Sequence, residues 1–156
     1  MKFRYLLLLI LPLLVLAAAC GKKCNEEKQV NIDDSTILKF ISDKGIVAQK
    51  HPSGIYYQIL STGTGNLSYT ANTTVSTKYV GRLLDGSVFD GPTSQPITFQ
   101  LGGVITGWQI GIPLIQKGGK IRLLIPSGLA YGCDGQGPIP SNAVLDFEVE
   151  LVNATN

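Results

Sequence analysis

The chain has 156 residues, of which 44% are hydrophobic and 15% charged, with a formal net charge of +2. That length suits one ordinary domain plus an appendage, and the apolar content argues against a wholly disordered chain. Much of the small basic excess sits in Lys2, Arg4, Lys22 and Lys23, and no basic stripe interleaved with aromatics follows, so a nucleic-acid partner is not expected.

The chain opens "MKFRYLLLLILPLLVLAAAC": a basic head, an apolar run from Leu6 to Leu16, then small residues up to Cys20. An apolar run of about 7–15 residues suits the core of a secretory signal peptide and is shorter than the ~20 needed to span a bilayer. Residues 1–19 are therefore expected to direct export. Leu16-Ala17-Ala18-Ala19-Cys20 resembles a bacterial lipobox, which implies lipidation at Cys20. The expected location is then a bacterial membrane, the outer one by preference, with the domain in the periplasm or at the cell surface. Acyl chains contribute about 0.8 kcal/mol per buried methylene, and stable anchoring takes more than one chain. Residues 20–34 are polar and lack an apolar period, which suits a lipidated flexible tether. The compartment permits disulfides, but Cys24 in a tether and Cys133 in a distant Gly-rich loop make a poor pair.

Residues 35–50 read as a short helix and linker. In "DDSTILKFISDKGI", Asp34 or Ser35 would cap the helix, Ile37, Leu38 and Ile41 would form its apolar side, and Gly45 would end it. Residues 51–156 read as the main domain, with strands over 55–60, 74–84, 97–101, 120–125 and 144–152. The last alternates, with Leu145, Phe147, Val149 and Leu151 on one face and Asp146, Glu148 and Glu150 on the other, as in a strand with one wet face. Asp85-Gly86 predicts a hairpin turn that leads into Val88-Phe89-Asp90-Gly91. "GWQIGIPLIQKGG" predicts a short helix from Trp108 to Gly118-Gly119 with Pro113 near its first turn. One helix crossing a mostly antiparallel sheet makes the fold class α+β. The loop over 130–143 is long enough to carry function, and Tyr131, Ile139 and Pro140 give it apolar weight.

Reactive chemistry is thin. The one histidine, His51, precedes Pro52 in an expected linker, which leaves no partner for a serine or cysteine nucleophile. No Cys/His cluster has metal-ligand spacing, so neither a metal nor a cofactor is expected. "GTG" at 63–65 and "KGGK" at 117–120 lack the strand, loop and helix context of a phosphate cradle. What remains is an apolar and aromatic set: Tyr79, Phe89, Ile97, Phe99, Val104, Ile105, Trp108, Tyr131, Ile139 and Phe147. Taken singly each is ordinary core. Tyr79, Phe89, Trp108 and Tyr131, however, fall at strand ends or beside Gly and Pro breaks.

The run "FQLGGVITGWQIGIPLIQKGGKIRLLIPSGLAYG" followed by "IPSNAVLDFEVEL" resembles the FKBP family of peptidyl-prolyl cis-trans isomerases, and within it the bacterial lipoprotein and macrophage-infectivity-potentiator type. The likeness covers about residues 54–152. It implies a twisted antiparallel sheet wrapped around one short helix, with an apolar substrate pocket between them. Trp108 would form its floor. Tyr79, Phe89, Val104, Ile105 and Phe147 would line the walls, with Tyr131 and Ile139 above and Ile97 where many relatives carry Phe. Asp90 and the Tyr131 hydroxyl would be polar contacts, and the Ile105 N–H would donate to a substrate carbonyl. Asp90, Tyr131, Ile105 and Phe89 would thus carry catalysis. The implied partners are proline-containing unfolded or exported polypeptides, and macrolides of the kind the family binds. A binding module with the same fold and negligible turnover is the alternative, and the joint presence of these side chains favours the enzyme.

Overall fold

The computed structural model describes residues 25–156; the expected signal peptide, Cys20 and Cys24 lie outside them. The first element, α1 (Glu26–Lys44), starts nine residues before the expected helix and takes in most of the expected tether. Asn25 caps it by accepting from the Lys28 N–H, and Glu26 and Glu27 in the first turn suit the positive end of the helix dipole. Its inner stripe is Val30, Asp33, Ile37, Phe40 and Ile41, with helical spacing throughout. The carboxylate at Asp33 hides that stripe from a hydropathy reading. The expected Leu38 is 48% exposed, whereas the stop is where Gly45 predicts it, in the left-handed conformation at φ 63°.

Seven strands follow: β1 (Gln49–Lys50), β2 (Tyr56–Ser61), β3 (Thr74–Leu83), β4 (Val88–Asp90), β5 (Ile97–Gln100), β6 (Lys120–Ile125) and β7 (Leu145–Thr155). They form one antiparallel sheet in the order β1-β2-β6-β7-β3-β4, with β5 also pairing β3. His51 lies in the β1–β2 connection rather than in a linker, with its Nδ1 2.9 Å from the Ser53 hydroxyl. At the β3–β4 hairpin, Gly86 at φ 93° completes a three-residue loop, and the Asp85 carboxylate accepts from the Ser87 N–H and hydroxyl.

The second helix, α2 (Thr106–Gly111), starts two residues before Trp108 and runs into a 3-10 turn at Ile112–Leu114. Pro113 falls in that turn instead of the first one. It lacks the N–H that would continue the α pattern, so the helix ends well before Gly118. Gly107 and Gly111, one turn apart, face Ile125 and Leu123 of β6, and a Cβ at either position would strike those side chains. The helix therefore lies directly on the sheet. Trp108, Ile112, Ile121, Leu123, Ile125, Leu145, Phe147 and Leu151 form the main core between them.

The other sheet face is covered in part by α1, where Ile37 packs with Tyr56, Leu124 and Val144. This cover corrects the reading of the wet face of β7 at Asp146 alone, since the Glu148 and Glu150 side chains stay 45% and 38% exposed. Asp146 is only 2% exposed, and both its carboxylate oxygens accept from Arg122, at 2.8 and 2.7 Å. Arg122 lies in turn near the Phe40 ring of α1. Cys133 is disulfide-bonded; the pairing weighed with Cys24 lies outside the described residues. The start of α1 packs on the 3-10 turn Ser127–Leu129, so that end of the helix lies beside the loop that carries Cys133.

Candidate functional site

The site begins with strand alternation. Tyr79 of β3 points to the face that carries Val75, and Phe147 of β7 lies directly opposite Gly81. A Cβ on Gly81 would come within 2.5 Å of Phe89 and 2.8 Å of Phe147, so the missing side chain is what allows both rings to lie there. β4 then brings Asp90 opposite Gly81, across an irregularity in the β3–β4 register.

Trp108 enters from the first turn of α2 and is 4% exposed. Its ring meets Tyr79 at 5.1 Å, Phe147 at 5.3 Å and Phe99 at 6.0 Å, each close to perpendicular. Edge-to-face packing suits the ring quadrupoles and fixes the rings more firmly than contact area alone. Above this floor lies an open cavity of about 330 Å³, a size that suits a small ring or a short peptide segment. Tyr79, Asp90, Val104, Ile105, Trp108, Tyr131 and Phe147 line it, and all seven belong to the expected set.

Three expected residues lie off the cavity wall. Phe89 stands behind Phe147, with ring centroids 5.4 Å apart, and supports the wall from the outside. Ile139 is 7% exposed and turned into the core beneath the loop. Ile97 is 40% exposed near the start of β5. Phe99, two residues along the same face of that strand, reaches the cavity in its place, and Gly103 and Gln136 complete the rim. Phe99 is legible as an aromatic on an alternating strand. Gln136, an ordinary loop polar residue, carries no signal.

The polar groups are few and specific. The Tyr79 hydroxyl donates to Asp90 at 2.6 Å. Burial first, and the hydrogen bond and charge of Asp90 second, push the Tyr79 phenol pKa well up, so it stays protonated. Burial, helped by the Asp90 charge, also raises the Tyr131 phenol. The Tyr131 hydroxyl and the Ile105 N–H have no hydrogen-bond acceptor among the described residues, so both are free to serve a ligand. Nothing here has the geometry of a nucleophile and its base. The cavity can enclose an apolar ring on aromatic faces while two donors and one carboxylate meet a polar group at its rim.

Gly81→Ala tests the ring arrangement directly. The added methyl must displace Phe89 or Phe147, with an expected cost of about 1–3 kcal/mol in urea unfolding. The emission of Trp108, the only tryptophan in the chain, should shift with it.

Comparison with known proteins agrees with this geometry. Residues 65–152 match the family model for the FKBP-type peptidyl-prolyl cis-trans isomerase. The Escherichia coli FKBP-type peptidyl-prolyl cis-trans isomerase FkpA is 42% identical over 117 residues, which are 74% of this chain and 42% of that protein. FK506-binding protein 4 of Dictyostelium discoideum is 47% identical over 105 residues, covering 65% of this chain and 29% of that one. The crystal structure of a peptidyl-prolyl cis-trans isomerase from Pseudomonas syringae superposes with a TM-score of 0.69 at 34% identity, over 87% of this chain and all of that one. The chain thus spans about two-fifths of the length of the Escherichia coli relative.

Proposed function

Since this chain belongs to the family of FKBP-type peptidyl-prolyl cis-trans isomerases, we propose that it accelerates rotation about Xaa-Pro bonds in polypeptides, without a covalent step. The observation that carries the reading is the aromatic cavity with two donors at its rim, the Ile105 N–H and the Tyr131 hydroxyl, that have no acceptor among the described residues.

Uncatalysed rotation meets a barrier of about 18–20 kcal/mol, because amide resonance gives the C–N bond partial double-bond character. Water favours the planar, polarised amide by hydrogen-bonding its carbonyl. A proline ring held against Trp108, Tyr79 and Phe147 is removed from that water. The Ile105 N–H and the Tyr131 hydroxyl can hold carbonyls on either side of the bond as it turns, and Asp90 adds a fixed charge near the rim. Acceleration follows where the cavity fits the twisted amide better than the planar one. Asp90, Tyr131, Ile105 and Phe89 are proposed as the catalytic group, Phe89 through its support of Phe147.

The substrates fitting this site are proline-containing segments of unfolded or exported polypeptides, whose folding waits on isomerisation for tens to hundreds of seconds. A macrolide of the FK506 type is a further ligand, suggested by the name of the Dictyostelium relative. Export and a lipid anchor at Cys20 rest on the leader sequence and lipobox alone; mass spectrometry of the mature N-terminus tests both together.

A protease-coupled assay on a short Xaa-Pro peptide is expected to show isomerisation well above the spontaneous rate at micromolar protein. No acceleration would overturn the reading. The profile of kcat/KM should be flat from about pH 6 to 9, since both phenols are held protonated and His51 lies off the cavity. A bell-shaped profile within that window would mean that a titrating group takes part.

A further inference from the structure

The loop that delivers Tyr131 is held from an unexpected direction. It begins with a 3-10 turn, Ser127–Leu129, whose first exposed N–H groups need an acceptor. The residue in the capping position is Pro126, which has no side-chain acceptor to offer. Asp33 of α1, 94 positions away in sequence, supplies it: one carboxylate oxygen accepts from the Ser127 N–H at 2.8 Å and from its hydroxyl at 2.6 Å. The other oxygen accepts from Gln29 at 2.8 Å. Asp33 is 4% exposed and has no ion-pair partner among the described residues, so these hydrogen bonds are what compensates its buried charge.

The connection continues to the cavity. The Ser127 carbonyl accepts from the N–H groups of Ala130 and Gly132, the two neighbours of Tyr131. The Gly132 carbonyl then accepts from Asn142, which closes the loop behind Tyr131. Gly128 lies so close to the Glu26 carbonyl that a Cβ would not fit, which seats the turn against the first turn of α1.

We propose that Asp33 is a positioning residue for the isomerase site, acting through Ser127 to set the place of Tyr131. The N-terminal helix is then part of the catalytic apparatus and not only a cover for the sheet. This rests on the isomerase reading above.

The test compares Asp33→Ala with Ile37→Ala, which loses buried contacts on the same helix stripe but does not touch Ser127. Both are made in the full chain and assayed at a temperature where each is folded. Asp33→Ala is expected to lower kcat/KM roughly tenfold, as misplaced binding groups do, and to speed hydrogen exchange at the Ala130 and Gly132 amides. Ile37→Ala should lower the melting temperature and change neither. In a Tyr131→Ala background, Asp33→Ala should cause no further loss of kcat/KM, because its route to the site has been removed. Equal kcat/KM for the two single variants, unchanged exchange at the two amides, or additive losses in the double variant would each overturn the proposal. If Asp33→Ala does not fold, Asp33→Leu, which removes both acceptors and keeps the side-chain volume, carries the same comparisons. A wild-type chain without isomerase activity sinks the functional reading, whereas the exchange measurement still decides whether Asp33 holds the turn.

Discussion

Trp108→Ala is expected to cost about 3–5 kcal/mol of folding stability, the usual effect of deleting a buried aromatic side chain. Trp108 is 4% exposed and stands at the centre of the ring cluster, in edge contact with Tyr79, Phe99 and Phe147. Removing it opens a cavity that the rigid sheet behind cannot collapse to fill, and three ring contacts go together. Against a typical total of about 5–15 kcal/mol, that is a large share. Isomerase activity should fall to near the spontaneous rate, because the apolar floor is lost even in molecules that stay folded. Trp108→Phe, which keeps a ring in the same place, should recover much of both. Urea unfolding with paired activity assays checks this; a loss below about 1 kcal/mol would mean that the neighbouring rings close over the gap and that Trp108 is not the floor.

Asp90→Ala is expected to act in the opposite manner, with little effect on stability and a fall in kcat/KM of about tenfold or more, equivalent to at least ~1.4 kcal/mol of transition-state stabilisation. The residue is exposed, so its removal leaves no cavity. Its one side-chain hydrogen bond among the described residues is from the Tyr79 hydroxyl. Tyr79→Phe therefore separates two roles. If Asp90 acts only by holding Tyr79, the phenylalanine variant should lose as much activity as Asp90→Ala. If Asp90 faces the twisting amide itself, Tyr79→Phe should keep most of it, and the proposed site predicts the second result. Wild-type kcat/KM in Asp90→Ala would remove Asp90 from the catalytic group altogether.

Residues whose role is set by local rules are legible in the sequence. Gly45 ends α1 because its left-handed conformation suits a residue without a Cβ, and Asp85-Gly86 turns the β3–β4 hairpin for the same reason at φ 93°. The alternation in β7 identifies Leu145, Phe147, Val149 and Leu151 as the core face, and all four are buried. Aromatic and branched residues on strand faces and around the start of α2 account for most of the cavity, since Tyr79 of β3, Phe147 of β7, Val104, Ile105, Trp108 and Tyr131 all line it.

What is not legible depends on contacts between distant parts of the chain. Phe89, expected in the wall, stands behind Phe147, and Phe99 reaches the cavity where Ile97 is expected. Both outcomes turn on where β4 and β5 pair along β3, which no local pattern states. The early start of α1 is hidden because Asp33 occupies a core position of its stripe, and a carboxylate there makes sense only once Ser127 is beside it. Asp146 reads as wet for the same reason, although α1 covers its sheet face and Arg122 supplies both its donors.

The sequence by itself therefore determined five of the seven strands, the β3–β4 turn and most of the aromatic side chains of the cavity, since backbone conformation and hydrophobic periodicity act over a few residues. The tertiary structure alone decided which rings face the cavity, which carboxylates are buried and what holds Tyr131, because burial and pairing of charge are properties of surfaces that meet only when the chain has folded.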